Sequence, residues 1–164
     1  MITEEEYLHT VYEPDCDFED GLLIERNLGT RDHSAMQAAL GAYLFRRRKA
    51  WQIHGYMSLR IRIRAGKYMI PDLCIVAGAE PTEQVLQSPP LLVIEILSPD
   101  DRMIRVDDKV QQWLAFGVPY VWVIDPETLE SELHHQRGRA RLDDGVLRIP
   151  ETLIEVPLAL LDEE

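Results

Sequence analysis

The run Leu91-Leu92-Val93-Ile94-Glu95-Ile96-Leu97 carries a single carboxylate among apolar, mostly branched side chains and is broken by Ser98-Pro99-Asp100. So short and continuous a hydrophobic run reads as a strand covered on both faces, at the middle of a sheet. Side chains alternate along a strand, which puts Glu95 on the face of Leu91, Val93 and Leu97. An ionised acid left unpaired there costs on the order of several kcal/mol, so it persists only where a metal, a cation or a hydrogen-bond network compensates it. The simpler alternative is a strand near a sheet edge whose Glu95 reaches water or pairs with an arginine.

The rest of the chain agrees with a layered α/β arrangement. Gly21 to Glu25 reads as a short strand or hairpin arm, Asn27 to Thr30 as a turn, and Asp32 to about Arg48 as a helix with Met36, Leu40, Tyr43 and Leu44 at helical spacing. Tyr56 to Arg64 alternates Leu59, Ile61 and Ile63 with arginines, the pattern of a strand with one covered face, and Tyr68 to Val76 is a second strand carrying Pro71-Asp72. Arg102 to Phe116 lines Val106, Val110, Trp113 and Leu114 along one helical stripe, and Tyr120 to Ile124 is a further strand. Strand, helix and strand in that order predict a crossover with parallel pairing. Glu132 to Gln136 and Arg139 to Ile149 are expected as shorter edge strands, with Leu153 to Leu161 closing the chain.

A length of 164 residues suits one domain spanning 1–164. No apolar run approaches the ~20 residues of a membrane span, and the acidic opening MITEEEYLHT is unlike a signal peptide, so a soluble cytoplasmic protein is expected. Cys16 and Cys74 lack metal-ligand spacing, and Cys74 reads as a core residue. The net charge of −12 opposes nucleic-acid binding, although Arg46, Arg47, Arg48, Lys49, Arg60, Arg62, Arg64 and Lys67 crowd one stretch. That stretch is either a local basic surface or a helix end followed by a solvated strand face.

Asp72 alone is a turn-associated acid. It gains weight as a partner of Glu95, because adjacent strands can bring one carboxylate each to the same end of a sheet, a donor set suited to a hard divalent cation such as Mg2+. Lys109 borders the apolar stripe of its helix, with Arg102 on nearly the same side; it is either a cation for the site or a snorkelling lysine. Glu19, Glu25 and His33 are further candidates near the first long helix. His134 and His135 are adjacent on a strand and face opposite ways, which argues against a shared metal.

The blocks IPDLCIV, LLVIEILSPDDR and DKVQQWLAFGVPYVWVIDPE resemble the Uma-two family of restriction-endonuclease-like proteins, a branch of the PD-(D/E)XK nuclease superfamily. The likeness begins near FEDGLLIE, includes the His33 helix start and fades after Glu127. It implies a restriction-endonuclease-like mixed sheet flanked by helices, with extra C-terminal hairpin strands. Asp72 and Glu95 become Mg2+ ligands, with Mn2+ as a substitute and the Ile96 carbonyl as a third donor, and the reaction becomes hydrolysis of DNA phosphodiester bonds. The superfamily lysine normally follows the Glu by two positions, but Leu97 stands there; Lys109 on the following helix matches the relocated lysine. Glu19 or Glu25, with Glu25 preferred, would supply an additional N-terminal acid. Two sites related by a two-fold axis suit the cutting of a duplex, so a homodimer is in keeping with this reading. The alternative is a degenerate nuclease fold kept as a binding or assembly module, which Leu97 and the acidic charge favour. A carboxylate-pair sugar hydrolase would want an aromatic-rich groove that these residues do not supply.

Overall fold

The computed structural model describes residues 1–26, 29–99, 101 and 103–162, the side chains of 103 and 104 excepted. In chain order the elements are α1 (Glu4–Leu8), β1 (Cys16–Glu19), β2 (Leu22–Glu25), α2 (Arg31–Trp51), β3 (Ile53–Met57), β4 (Ile61–Arg64), β5 (Lys67–Met69), β6 (Leu73–Ala77), β7 (Leu92–Ile96), α3 (Met103–Phe116), β8 (Tyr120–Ile124), β9 (Ser131–His135), β10 (Gly138–Arg141), β11 (Val146–Arg148) and β12 (Glu155–Pro157). Among the described residues, no helix is long and apolar enough to cross a membrane.

Six strands form the main sheet in the order β10-β9-β8-β7-β6-β3. β7 and β8 pair in parallel across the α3 crossover, as the strand-helix-strand pattern predicts, and the other pairs are antiparallel. The two faces of this sheet explain why its strands do not alternate apolar with polar. Leu73, Ile75, Leu92, Ile94, Ile96, Trp122 and Ile124 pack with Leu40, Tyr43 and Leu44 of α2, while Cys74, Val93, Val121 and Val123 pack with Val106, Val110, Trp113 and Leu114 of α3. Both faces are covered, so all five residues of β7 are buried, Glu95 included. The β11–β12 ribbon closes the α2 side through Leu147 and Val156, and the Trp122 indole donates to the Arg148 carbonyl at 3.0 Å.

A second antiparallel sheet runs β2-β1-β5-β4. It corrects two expectations, because each strand expected from Tyr56 to Arg64 and from Tyr68 to Val76 is divided between the two sheets. Ser58 adopts a left-handed backbone (φ 51°) that turns the chain after β3, and β4 starts only at Ile61. In the second case Pro71 has no amide to give a ladder, and Ile70-Pro71-Asp72 becomes a buried crossing between β5 and β6. β9 is a further correction: expected at an edge, it is paired on both sides by β8 and β10. Asn27, Asp100 and Arg102 lie outside the described residues.

Helix α2 begins where the sequence suggests. Thr30 caps it, its hydroxyl accepting from the His33 amide, and it runs about one turn past the expected end to Trp51, where the left-handed backbone of Gln52 stops it. That last turn is tied by Arg47, whose guanidinium lies 3.4 Å from the Tyr43 ring centroid and 5.9 Å from that of Trp51.

Truncation of Ile94, fully buried between the layers, to alanine is expected to cost about 2–5 kcal/mol in denaturant unfolding, whereas Leu153→Ala, at a side chain 75% exposed, should change stability by less than about 0.5 kcal/mol. Cys74 is fully buried and its thiol is pushed up to about 12 by that burial. A thiol-specific disulfide reagent at mildly alkaline pH should therefore leave Cys74 unmodified in the native protein and label it in denaturant.

Candidate functional site

The crossing segment between the two sheets places Asp72 beside the end of β7. Its Oδ2 accepts the Ile96 amide at 2.7 Å, and its Oδ1 accepts both Arg26 Nη2 at 2.7 Å and His33 Nε2 at 3.1 Å. The same residue is also held by its main chain: Gln37 Nε2 of α2 donates to the Asp72 carbonyl at 2.8 Å, and the amide of Ser58, which follows β3, does so at 3.2 Å. His33 and Gln37 are four residues apart and so lie on one helical face, with the side chain of Asp72 facing one and its backbone the other. Burial raises the pKa of the Asp72 carboxyl, but the His33 hydrogen bond and the charges of Arg26, His33 and Lys109 outweigh it and hold the group below its ordinary value. His33 is raised in turn, chiefly by its hydrogen bond to Asp72 and against the effect of burial.

Helix α3 treats Glu95 in the same way. Trp113 Nε1 donates to Glu95 Oε1 at 2.8 Å, and Lys109 Nζ, four residues earlier on the same face, stands 3.4 Å from that oxygen. Burial pushes the Glu95 carboxyl up to about 7, with the Asp72 charge adding to the rise and Lys109, Arg26 and Trp113 opposing it. Burial alone would lower Lys109, yet the carboxylates of Glu95, Asp17 and Asp72 leave it raised and therefore charged.

Asp17 completes the cluster and was not singled out from the sequence. Its Oδ1 accepts the Ile70 amide at 2.9 Å, while the Ile70 carbonyl accepts from Lys109 at 3.4 Å, so one residue of the crossing ties the β1 acid to the α3 lysine. Burial holds the Asp17 carboxyl above its ordinary value, against the pull of Lys109 and Arg26. Along β1, Asp17 and Glu19 share a face opposite the buried Cys16 and Phe18, so alternation could not separate the two acids. Glu19 instead pairs with Lys67 at 3.3 Å and Arg64 at 3.5 Å. Glu25 is exposed at the end of β2 on the rim of the cleft, where its carbonyl accepts from Arg105 at 3.5 Å.

Asp17, Glu25, Arg26, His33, Asp72, Glu95 and Lys109 all line one cleft of about 370 Å3. His134 lies away from it, buried on β9 and paired to Glu132 at 2.9 Å. The basic stretch is largely consumed within the fold. Arg60 sits over the Tyr7 ring and donates to the Tyr7 and Thr10 carbonyls, Arg62 pairs with Glu4, Arg64 with Asp20, and Arg48 lies over Phe45.

The donor chemistry suits a hard divalent cation in kind, since two buried carboxylates, one from the crossing between the sheets and one from β7, open onto one cleft. Among the described residues no donor reaches Glu95 Oε2, and none of the groupings brings three or more His, Cys, Asp or Glu side chains into metal-binding proximity. Such a cation would thus rest on two carboxylates and main-chain or solvent oxygens, and it would have to take Asp72 Oδ1 from Arg26 or share it with His33.

The mixed sheet with helices on both faces and an acid-rich cleft at the crossing of two sheets defines a restriction-endonuclease-like α/β protein. The model of the Uma2 family, described as "Putative restriction endonuclease", matches residues 5–160, and the chain belongs to that family. The match extends well past Glu127, where the sequence likeness was expected to fade. The fold is shared with a crystal structure from Anabaena variabilis of "a putative nuclease belonging to DUF820", with a TM-score of 0.81, 21% identity, and coverage of 99% of this chain and 98% of that one. No curated protein matches the chain.

Exchange of the fully buried Trp113 for phenylalanine keeps an aromatic ring at the position but removes the indole donor from Glu95 and part of the ring volume. Equilibrium unfolding should register a loss of about 1–3 kcal/mol or more, from a buried acceptor left short of a partner and a small cavity beside it.

Proposed function

We propose that this protein is a metal-dependent endonuclease that hydrolyses DNA phosphodiester bonds in the cleft between its two sheets. The observation that carries the reading is the position of Lys109, whose ammonium reaches Glu95 Oε1 at 3.4 Å from α3. It brings to the carboxylate pair the positive charge that Leu97, two residues after the Glu, cannot supply.

In this reading Asp72 and Glu95, with the Ile96 carbonyl, are the ligands of Mg2+, and Mn2+ substitutes. The ion would supply charge neutralisation at the scissile phosphate and lower the pKa of the attacking water. The chain's own residues do the rest. Trp113 and the Ile96 amide keep the two carboxylates turned into the cleft, and the His33 imidazole and Gln37 carboxamide fix Asp72 from α2. Lys109 orients the water and offsets the negative charge that develops on the phosphate. Asp17, held beside Lys109, is a better candidate for the additional N-terminal acid than Glu25, whose side chain stands at the exposed rim.

A specific observation favours the second reading, a degenerate fold retained for binding or assembly: both Asp72 oxygens are already bonded within the protein. Nicking of supercoiled plasmid separates the two. The wild-type protein with Mg2+ or Mn2+ should cleave, Glu95→Gln should lose cleavage together with calorimetric Mn2+ uptake, and Lys109→Met should lose cleavage while retaining uptake. Cleavage undiminished in Glu95→Gln would sink the assignment, and absence of any Mn2+ uptake by the wild type would leave the binding module.

A further inference from the structure

Positive charge already stands around the carboxylates before any metal is considered. Arg26 and His33 lie against Asp72 and Lys109 lies against Glu95, in a buried cluster with few waters to screen an added charge. A divalent cation would add two positive charges to this set and would need an oxygen of Asp72, so a resident cation has to withdraw. The three are not equally free to do so. Lys109 is held by Glu95 and the Ile70 carbonyl, and His33 is a short side chain on the first turn of the capped helix α2. Arg26 follows the last residue of β2, reaches in on a long flexible stem, and among the described residues its guanidinium contacts only Asp72, at 2.7 Å with 14% of the side chain exposed. It also lines the open cleft.

We propose that Arg26 is an exchangeable counter-ion. It neutralises Asp72 until a divalent ion takes Oδ1, and the released guanidinium then binds a phosphate of the nucleic-acid strand in the same cleft. A guanidinium suits both partners, because its planar fork of donors matches carboxylate and phosphate alike. The proposal rests on the metal-dependent reading above, and it makes metal loading and substrate binding successive uses of one side chain.

Removal of the guanidinium should therefore move two affinities in opposite directions. In Arg26→Gln the Kd for Mn2+, read by calorimetry or by electron paramagnetic resonance of free Mn2+, should tighten about 10-fold, the equivalent of about 1.4 kcal/mol. Binding of a fluorescent DNA duplex in Ca2+, read by anisotropy, should weaken by a similar factor of roughly 10. Arg26→Lys keeps the charge without the fork and should fall between wild type and Arg26→Gln in both assays. Arg141→Gln removes an exposed arginine paired with Glu130 and Asp143, lowers net charge equally, and should change neither affinity. Thermal unfolding identifies any variant that has lost its fold, in which case Arg26→Lys carries the comparison.

Opposite shifts confined to the Arg26 variants support the exchange. Mn2+ binding that depends on Asp72 in the wild type but is unchanged or weaker in Arg26→Gln overturns it and leaves the nuclease reading intact. A Ca2+-dependent DNA affinity unchanged in Arg26→Gln overturns it as well. If wild type and both Arg26 variants take up no Mn2+, the metal-dependent reading falls and the exchange falls with it.

Discussion

The hydrogen bond from the Ile96 amide to Asp72 Oδ2 joins the end of the central strand to the segment that crosses between the sheets. The relation between the two buried acids depends on that junction. It fixes where Asp72 stands relative to Glu95, one residue back along β7, and thereby sets two carboxylates at the mouth of a single cleft. The crossing itself depends on Pro71, which cannot extend a strand ladder and so frees Asp72 from the pleat.

Two helices then answer the electrostatic cost of that arrangement in the same manner. Each presents a pair of polar side chains four residues apart, His33 with Gln37 from α2 and Lys109 with Trp113 from α3, and each pair clasps one acid. Their remaining faces are apolar and cover opposite sides of the main sheet. Packing and electrostatics are thus coupled: the turn of helix that buries Val110 and Leu114 also sets the Lys109 ammonium beside Glu95. A shift of either helix large enough to release its acid would also open the core.

Charge on this protein is organised locally rather than globally. The net value of −12 is unfavourable for a polyanionic partner at long range. Most of the arginines between residues 46 and 64 are engaged in stacking and ion pairs with neighbouring side chains rather than left as free positive charge. The cleft itself holds Arg26, His33, Lys67, Arg105 and Lys109 among its acids.

Much of the architecture was legible in the residues themselves. The apolar run around Glu95, the stripe of α3 and the parallel return through β8 follow from periodicity alone, because each element carries its own burial pattern. Glu95 was legible for the same reason, since a lone acid in a fully covered strand has to be compensated. Asp72 and Lys109 needed the family motif order as well. What the sequence could not decide was where two continuous-looking strands divide between sheets, since a left-handed Ser58 and the Pro71 crossing leave the local alternation nearly unchanged. Nor could it choose Asp17 over Glu19 and Glu25, or pair Arg26 with Asp72 across 46 positions of chain. Those contacts are set by how the small sheet docks against the large one, and alternation along a strand gives a side chain's face but not the partner waiting opposite it.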